Sequence, residues 1–158
     1  MRKTYNLTTF SYLAHTVSCA APPITRWTNF SILMKLQPDK SNAPTINAYE
    51  RSWIEVNGIR FSQSLSVTSL SEVPPAIWAT GHFDGLSASD FSPWADIGCE
   101  LIVFGSGHKL RFPKPQWLQT LVSQGIGVET MDTPAACRTY NILASEGRKV
   151  VALLLIES

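Results

Sequence analysis

Cys137, Arg138 and Asn141 lie within five residues of one another, just past the pair Asp132-Thr133. A thiol near a helix start and beside a guanidinium has two reasons to be acidic, the dipole and the charge. Arg138 also offers a planar fork that fits a carboxylate or phosphate. A second cluster, Gly105-Ser106-Gly107-His108, holds two glycines that allow close backbone approach and a histidine that is the available base for a Cys137 nucleophile. Together Gly105, Ser106, Gly107, His108, Asp132, Thr133, Cys137, Arg138 and Asn141 outline a candidate small-anion site. A plainer account competes with it: the glycines shape turns, Asp132 and Thr133 cap a helix, and Cys137 is a small packed side chain. No residue is assigned a catalytic role, and no GxGxxG or phosphate-loop pattern points to a nucleotide.

The elements that must position these residues are legible. Gly125 to Gly147 reads as a short buried strand, a turn and a helix, with Thr133 as N-cap, Pro134 at the first helical position and Gly147 as the left-handed stop. At 100° per residue, Ala136, Tyr140, Leu143 and Ala144 form the core stripe of that helix, with Cys137 half-buried at its border. Arg138, Asn141 and Ser145 make a polar ridge. Ile142 falls outside the stripe, so either an N-terminal layer or a partner protein covers it.

Leu101-Ile102-Val103-Phe104 is an unbroken apolar run, as in a strand buried on both faces, and Lys149 to Ile156 is another. Pro113 to Gln124 reads as a helix with an inward stripe of Trp117, Leu118, Leu121 and Val122. If the strands before Gly105 and Asp132 are neighbours, their carboxyl ends form one rim, where open α/β sheets bind ligands. Upstream, Asn57-Gly58 marks a tight hairpin between Trp53–Val56 and Ile59–Ser62, preceded by a strand over 45–49. Alternation continuing through Leu65 and Val67 predicts a sheet covered on one side. Residues 68–86 read as a loop tacked down by Trp78 and Phe83. Ser87 with Asp90 is a capping-box pattern for a helix that Pro93 either breaks or restarts. Strand, helix, strand, helix, strand predicts an α/β domain: three layers, a mixed central sheet, parallel strand-helix-strand units and an added N-terminal β-hairpin.

Residues 1–33 carry Arg2, Lys3 and Arg26 but no acid, and read as an extension outside the fold. They fit a mitochondrial presequence, a secretory signal with a poor apolar core, or a stretch ahead of a true start at Met34. Residues 34–158 are then the single α/β domain, with ten Lys/Arg against twelve Asp/Glu. That balance offers no basic stripe for phosphates and argues against nucleic acid. No apolar run approaches the roughly 18 residues of a membrane span. Cys19, Cys99 and Cys137 are odd in number and far apart, so free thiols are expected and no metal site or cofactor is. His15 and His82 sit in loop-like contexts without ligand spacing.

Val-Asn-Gly (56–58), Phe-Gly-Ser-Gly (104–107), Arg-Phe-Pro (111–113) and the thirteen residues Met131 to Leu143 resemble a small domain-of-unknown-function family of bacteria and archaea. Its eukaryotic relatives include a mitochondrial complex I assembly factor and an adipogenesis-associated domain protein. The resemblance covers about Met34 to Ile156. It implies a three-layer α/β fold with a mixed sheet and no settled enzymatic activity. The expectation is therefore a non-catalytic interaction or assembly-factor-like domain whose partners are other proteins, including a respiratory or membrane complex under assembly. The alternative is a small-anion binding protein or enzyme acting at the carboxyl ends of the parallel strands. Whether the chain is an enzyme stays open, leaning no. Its location is cytoplasmic if the source is bacterial, mitochondrial if residues 1–33 are a presequence.

Overall fold

The computed structural model describes residues 42–70, 73–79 and 81–157; the expectations placed on residues 1–33, His15, Cys19 and Met34 lie outside them. Asn57 and Gly58 have φ of 50° and 81°, the left-handed backbone that a two-residue hairpin needs and these residues tolerate best. Their turn joins β2 (Ile54–Val56) to β3 (Ile59–Phe61), and β1 (Ile46–Tyr49) pairs antiparallel with the other edge of β2. The hairpin is thus a small sheet of its own.

It does not extend through Leu65 and Val67. β4 (Leu65–Thr68) instead pairs antiparallel with β8 (Val150–Leu154) in the central sheet, and all four of its residues are buried. The Ser and Thr positions that alternation assigned to solvent are inside because backbone groups satisfy them. Ser66 donates to the Ala76 carbonyl at 3.3 Å. Ser64 accepts from the Ile156 N–H at 3.0 Å and donates to the Ile156 carbonyl at 3.4 Å. A hydroxyl with partners can be buried at little cost, and period-2 polarity then misreports the covered face.

The central sheet has the order β5-β4-β8-β6-β7, where β5 is Ala76–Ile77, β6 is Leu101–Gly105 and β7 is Gly127–Met131. β8, β6 and β7 are mutually parallel; β4 opposes β8, and β5 opposes β4. β5 emerges from the stretch read as loop: two residues directly after Pro74-Pro75 carry too little pattern to announce a strand. β7 is an edge strand, half-exposed rather than buried as expected.

Two cores flank the sheet. On one side Val103, Val150, Ala152 and Leu154 meet Ala136, Cys137 and Tyr140 of α3 (Thr133–Ser145), with Ile46, Ile54 and Val56 of the hairpin sheet. On the other, Ile102, Phe104, Val151 and Leu153 meet Phe91, Trp117 and Leu121. The second core is rich in rings: Phe91 stands edge-on to Phe104 with centroids 5.5 Å apart, and Trp78 and Phe83 join them. Its cover is α1 (Ala88–Phe91), a 3₁₀ turn restarted at Ser92-Pro93, and α2 (Gln119–Ser123). Asp90 reaches back to the Ser87 N–H at 2.8 Å, as the capping-box pattern predicts. The expected 113–124 helix begins as a 3₁₀ turn, Pro115–Trp117. Three residues per turn shifts the phase, and Val122 ends up 66% exposed instead of in the stripe. Mixed sheet, hairpin and parallel units place the chain in the α/β class, in three layers.

Candidate functional site

β6 and β7 end side by side, so the turns after them meet. The Ser106 N–H donates to the Met131 carbonyl at 2.9 Å, and Thr133 N–H donates to the Gly107 carbonyl at 2.8 Å. Thr133 is not the N-cap. It occupies the first helical position, where its hydroxyl accepts from Gly107 N–H at 3.0 Å and donates to the Leu155 carbonyl at 2.8 Å. One side chain thereby ties the ends of β6 and β8 to the start of α3. Asp132 caps instead, accepting from Ala135 N–H at 2.7 Å. Pro134 moves to the second position, and Gly147, with φ of 77°, ends the helix as expected. Arg148 N–H to Leu143 and Gly147 N–H to Ala144 complete the left-handed cap.

The glycines of the rim are approached by their own chain. A Cβ on Gly105 would lie 3.0 Å from Ala136 Cβ and Thr133 Oγ1. At Gly107, where φ is +94°, it would lie 2.7 Å from Arg111 Nη2 and Glu157 Oε2. Ser106 is fully buried; its hydroxyl accepts from the Arg111 N–H at 3.0 Å and lies 2.8 Å from the Lys109 carbonyl. Arg111 in turn pairs with Glu157. Desolvation acts against the Glu157 carboxylate. The Arg111 hydrogen bond, the Phe83 N–H and the charges of Arg111 and His82 outweigh it and hold the carboxyl below its usual range.

Cys137 is fully buried, not half-buried. Desolvation pushes its thiol up to about 12, against the smaller pull of Arg138, so the acidic thiol drawn from the sequence is corrected. The stripe of α3 is wider than the wheel allowed, because the hairpin sheet also packs on it. Arg138 is exposed and donates from Nη1 to the Tyr49 hydroxyl at 2.7 Å. Asn141, placed on a polar ridge by the wheel, clamps β1: its Oδ1 accepts from Ile46 N–H at 3.0 Å and its Nδ2 donates to the Ile46 carbonyl at 2.8 Å. Ile142 is 57% exposed.

His108 is exposed and lies with Thr133 on the wall of a cavity of about 250 Å³ beyond the carboxyl ends of β6 and β8. Tyr49 at the end of β1, Glu50 and Arg51 in the turn after it, Pro134, and Leu155 and Ile156 after β8 complete the lining. Of the nine candidate residues only His108 and Thr133 line it; Gly105, Ser106, Gly107, Asp132, Cys137, Arg138 and Asn141 do not. Among the described residues no three His, Cys, Asp or Glu side chains are placed to hold a metal.

Residues 46–155 match a family described as protein of unknown function (DUF498/DUF598). The chain belongs to the DUF498/DUF598 family. It is 30% identical over 143 residues to the human NADH dehydrogenase [ubiquinone] 1 alpha subcomplex assembly factor 3, covering 89% of this chain and 74% of that protein. It is 32% identical to a 13 kDa major membrane protein of Francisella tularensis, over 78% of this chain and all of the relative. A crystal structure of a Bordetella parapertussis protein superposes with a TM-score of 0.67 at 38% identity, covering 73% of this chain and 97% of that one. A solution structure of a Mth938-like domain from Bordetella pertussis gives 0.65 at 33% identity, covering 79% and 94%. No helix among the described residues of this DUF498/DUF598 chain is long and apolar enough to cross a membrane.

Sequence reasoning missed Tyr49, Glu50, Arg51 and the Arg111–Glu157 pair. The first three form a polar, aromatic end to a strand and carry no spacing signal. Arg111 and Glu157 are 46 residues apart, and only the topology of β6 and β8 brings them together.

Proposed function

We propose that this DUF498/DUF598 chain is a non-catalytic interaction domain of the assembly-factor kind, which binds other proteins while a respiratory or membrane complex is put together. The observation that carries the reading is Ile142. It is an aliphatic side chain 57% exposed on α3, whose neighbours Asn141 and Arg138 are tied to β1. Ile142 is one side chain rather than a patch, and what supports a partner there is its place on α3 beside two residues that hold β1. The relatives named as assembly factors for NADH dehydrogenase support the choice of partner class. In a bacterium the chain would work in the cytoplasm, and in a eukaryote in the mitochondrion. Crosslinking in native extract tests it: the chain should be recovered joined to subunits of a larger complex. If it runs alone in every fraction and crosslinks to nothing, the reading fails.

A second reading is favoured by the cavity at the rim. Arg51 and His108 can face a small carboxylate or phosphate on a wall they share with Glu50, with Arg138 holding the hydroxyl of the lining Tyr49. A panel of such anions should then raise the melting temperature, and Arg138→Ala should abolish the rise. No shift in the unmutated protein sinks this reading.

A further inference from the structure

Between Glu100 and Glu129 the chain holds no acid, yet it carries Lys109, Arg111 and Lys114 within a domain that is net acidic. The structure brings part of this stretch to the surface in a fixed form. Over 110–113 the extended chain turns Arg111 and Pro113 inward and leaves Leu110 and Phe112 in solvent, 54% and 71% exposed. Arg111 roots the segment. It pairs with Glu157, donates to the Ser106 carbonyl, and lays its guanidinium 4.6 Å from the centre of the Phe83 ring. These contacts and the bond from the Arg111 N–H to the Ser106 hydroxyl hold the backbone at Arg111, which lowers the ordering cost of engaging the loop. Three residues past Phe112, Pro115 opens a shallow groove of about 520 Å³ walled by Gln119 and the exposed Val122. Lys109 and Lys114 are exposed, and neither has a carboxylate partner among the described residues.

We infer that the Leu110–Pro115 loop and the groove beside it form a docking surface for a partner-protein segment that carries an apolar side chain flanked by Asp or Glu. The inference rests on the interaction reading and adds a second contact surface to Ile142, on the layer that carries Trp117 and Leu121 rather than the one that carries α3. The apolar anchor would pack on Phe112 and into the groove, and the acids would face Lys109 and Lys114, which steer the encounter and fix its direction. A protein segment fits better than an anionic bilayer. Two lysines without carboxylate partners, one of them with its ammonium 5.2 Å from the Trp117 ring centre, fall short of the about four to eight cations that read lipid headgroups, and a groove suits a side chain.

The test replaces Phe112, and separately Ile142, with p-benzoylphenylalanine in the full chain, followed by photocrosslinking in native extract and sequencing of the joined peptide. The expected result is a crosslink from position 112 to a peptide with Asp or Glu around an apolar residue. Its yield should fall roughly tenfold with K109E/K114E, a change of about 1.4 kcal/mol. Circular dichroism melting should show that variant folded as before. A crosslink from position 112 to a peptide without acids, or one indifferent to K109E/K114E, overturns the inference. Crosslinks from position 142 alone overturn it while leaving the interaction reading intact, and silence at both positions removes both. Binding of the chain to vesicles of phosphatidylcholine and phosphatidylglycerol, lost on Phe112→Ser while position 112 yields no peptide, assigns the surface to lipid and overturns it as well.

Discussion

Asn141→Ala separates a structural asparagine from a ligand-binding one. In the structure the Asn141 amide makes two hydrogen bonds to the backbone of Ile46, at 3.0 and 2.8 Å, and Ile46 itself is 4% exposed in the core. Truncation leaves the Ile46 N–H and carbonyl without these partners. Each bond contributes about 1 kcal/mol net, and each buried group left unpaired costs about 1–3 kcal/mol. Both groups are part-buried, so water recovers some of the loss, and the expected destabilisation is about 2–3 kcal/mol. Urea unfolding should show a lower midpoint at unchanged m-value, because the surface exposed on unfolding is the same. Hydrogen exchange at the Ile46 amide should accelerate more than exchange in β6 or β8, since β1 is freed locally. Asn141→Asp keeps the acceptor but sets a carboxylate against the Ile46 carbonyl, and should be at least as damaging. A loss below about 0.5 kcal/mol, the range of ordinary surface changes, would refute the clamp.

With Cys19 and Cys99 replaced by Ala, Cys137 should react with a thiol reagent only as fast as the protein opens, because it is fully buried and its thiol lies near 12. Rapid native-state labelling would contradict this. Glu157 is depressed in the fold, so its ion pair stabilises at pH values above the unfolded carboxyl's pKa and is lost as pH falls through the folded one. Wild type should therefore lose stability more steeply than Glu157→Gln below about pH 4, and equal slopes in acid denaturation would count against the pair. The Tyr140 hydroxyl is buried without a hydrogen-bond partner among the described residues. Tyr140→Phe should accordingly be neutral or more stable by about 1 kcal/mol in chemical unfolding; a loss of similar size would mean that the hydroxyl has a partner.

The local code was readable where a residue type has one physical use. Asn57-Gly58, Gly147, the Ser87–Asp90 pair and the apolar runs of β6 and β8 each specify backbone or burial directly. What failed were inferences from polarity alone. Ser64, Ser66 and Thr68 looked like a wet face but bond to backbone inside the protein. Asn141 looked like a free ridge but holds β1, 95 residues away in sequence. The rim shows the same limit. Adjacency of the turns after β6 and β7 was conditional on those strands being neighbours, which the sheet order makes them, whereas Tyr49 and Arg51 reach the cavity through the hairpin sheet, which no spacing announces. Cys137 was misjudged because the wheel knew one packing surface and α3 has two.

The role proposed for this fold is to hold a protein partner while a complex is assembled. The most direct measurement is a native gel of NADH dehydrogenase from cells lacking the chain, complemented with His108→Ala/Cys137→Ala or with Ile142→Asp. Incomplete complexes are expected without the chain, full assembly with the first variant, and failure with the second although it folds. Normal assembly in the cells lacking the chain, or rescue by Ile142→Asp but not by the His108/Cys137 variant, would contradict it.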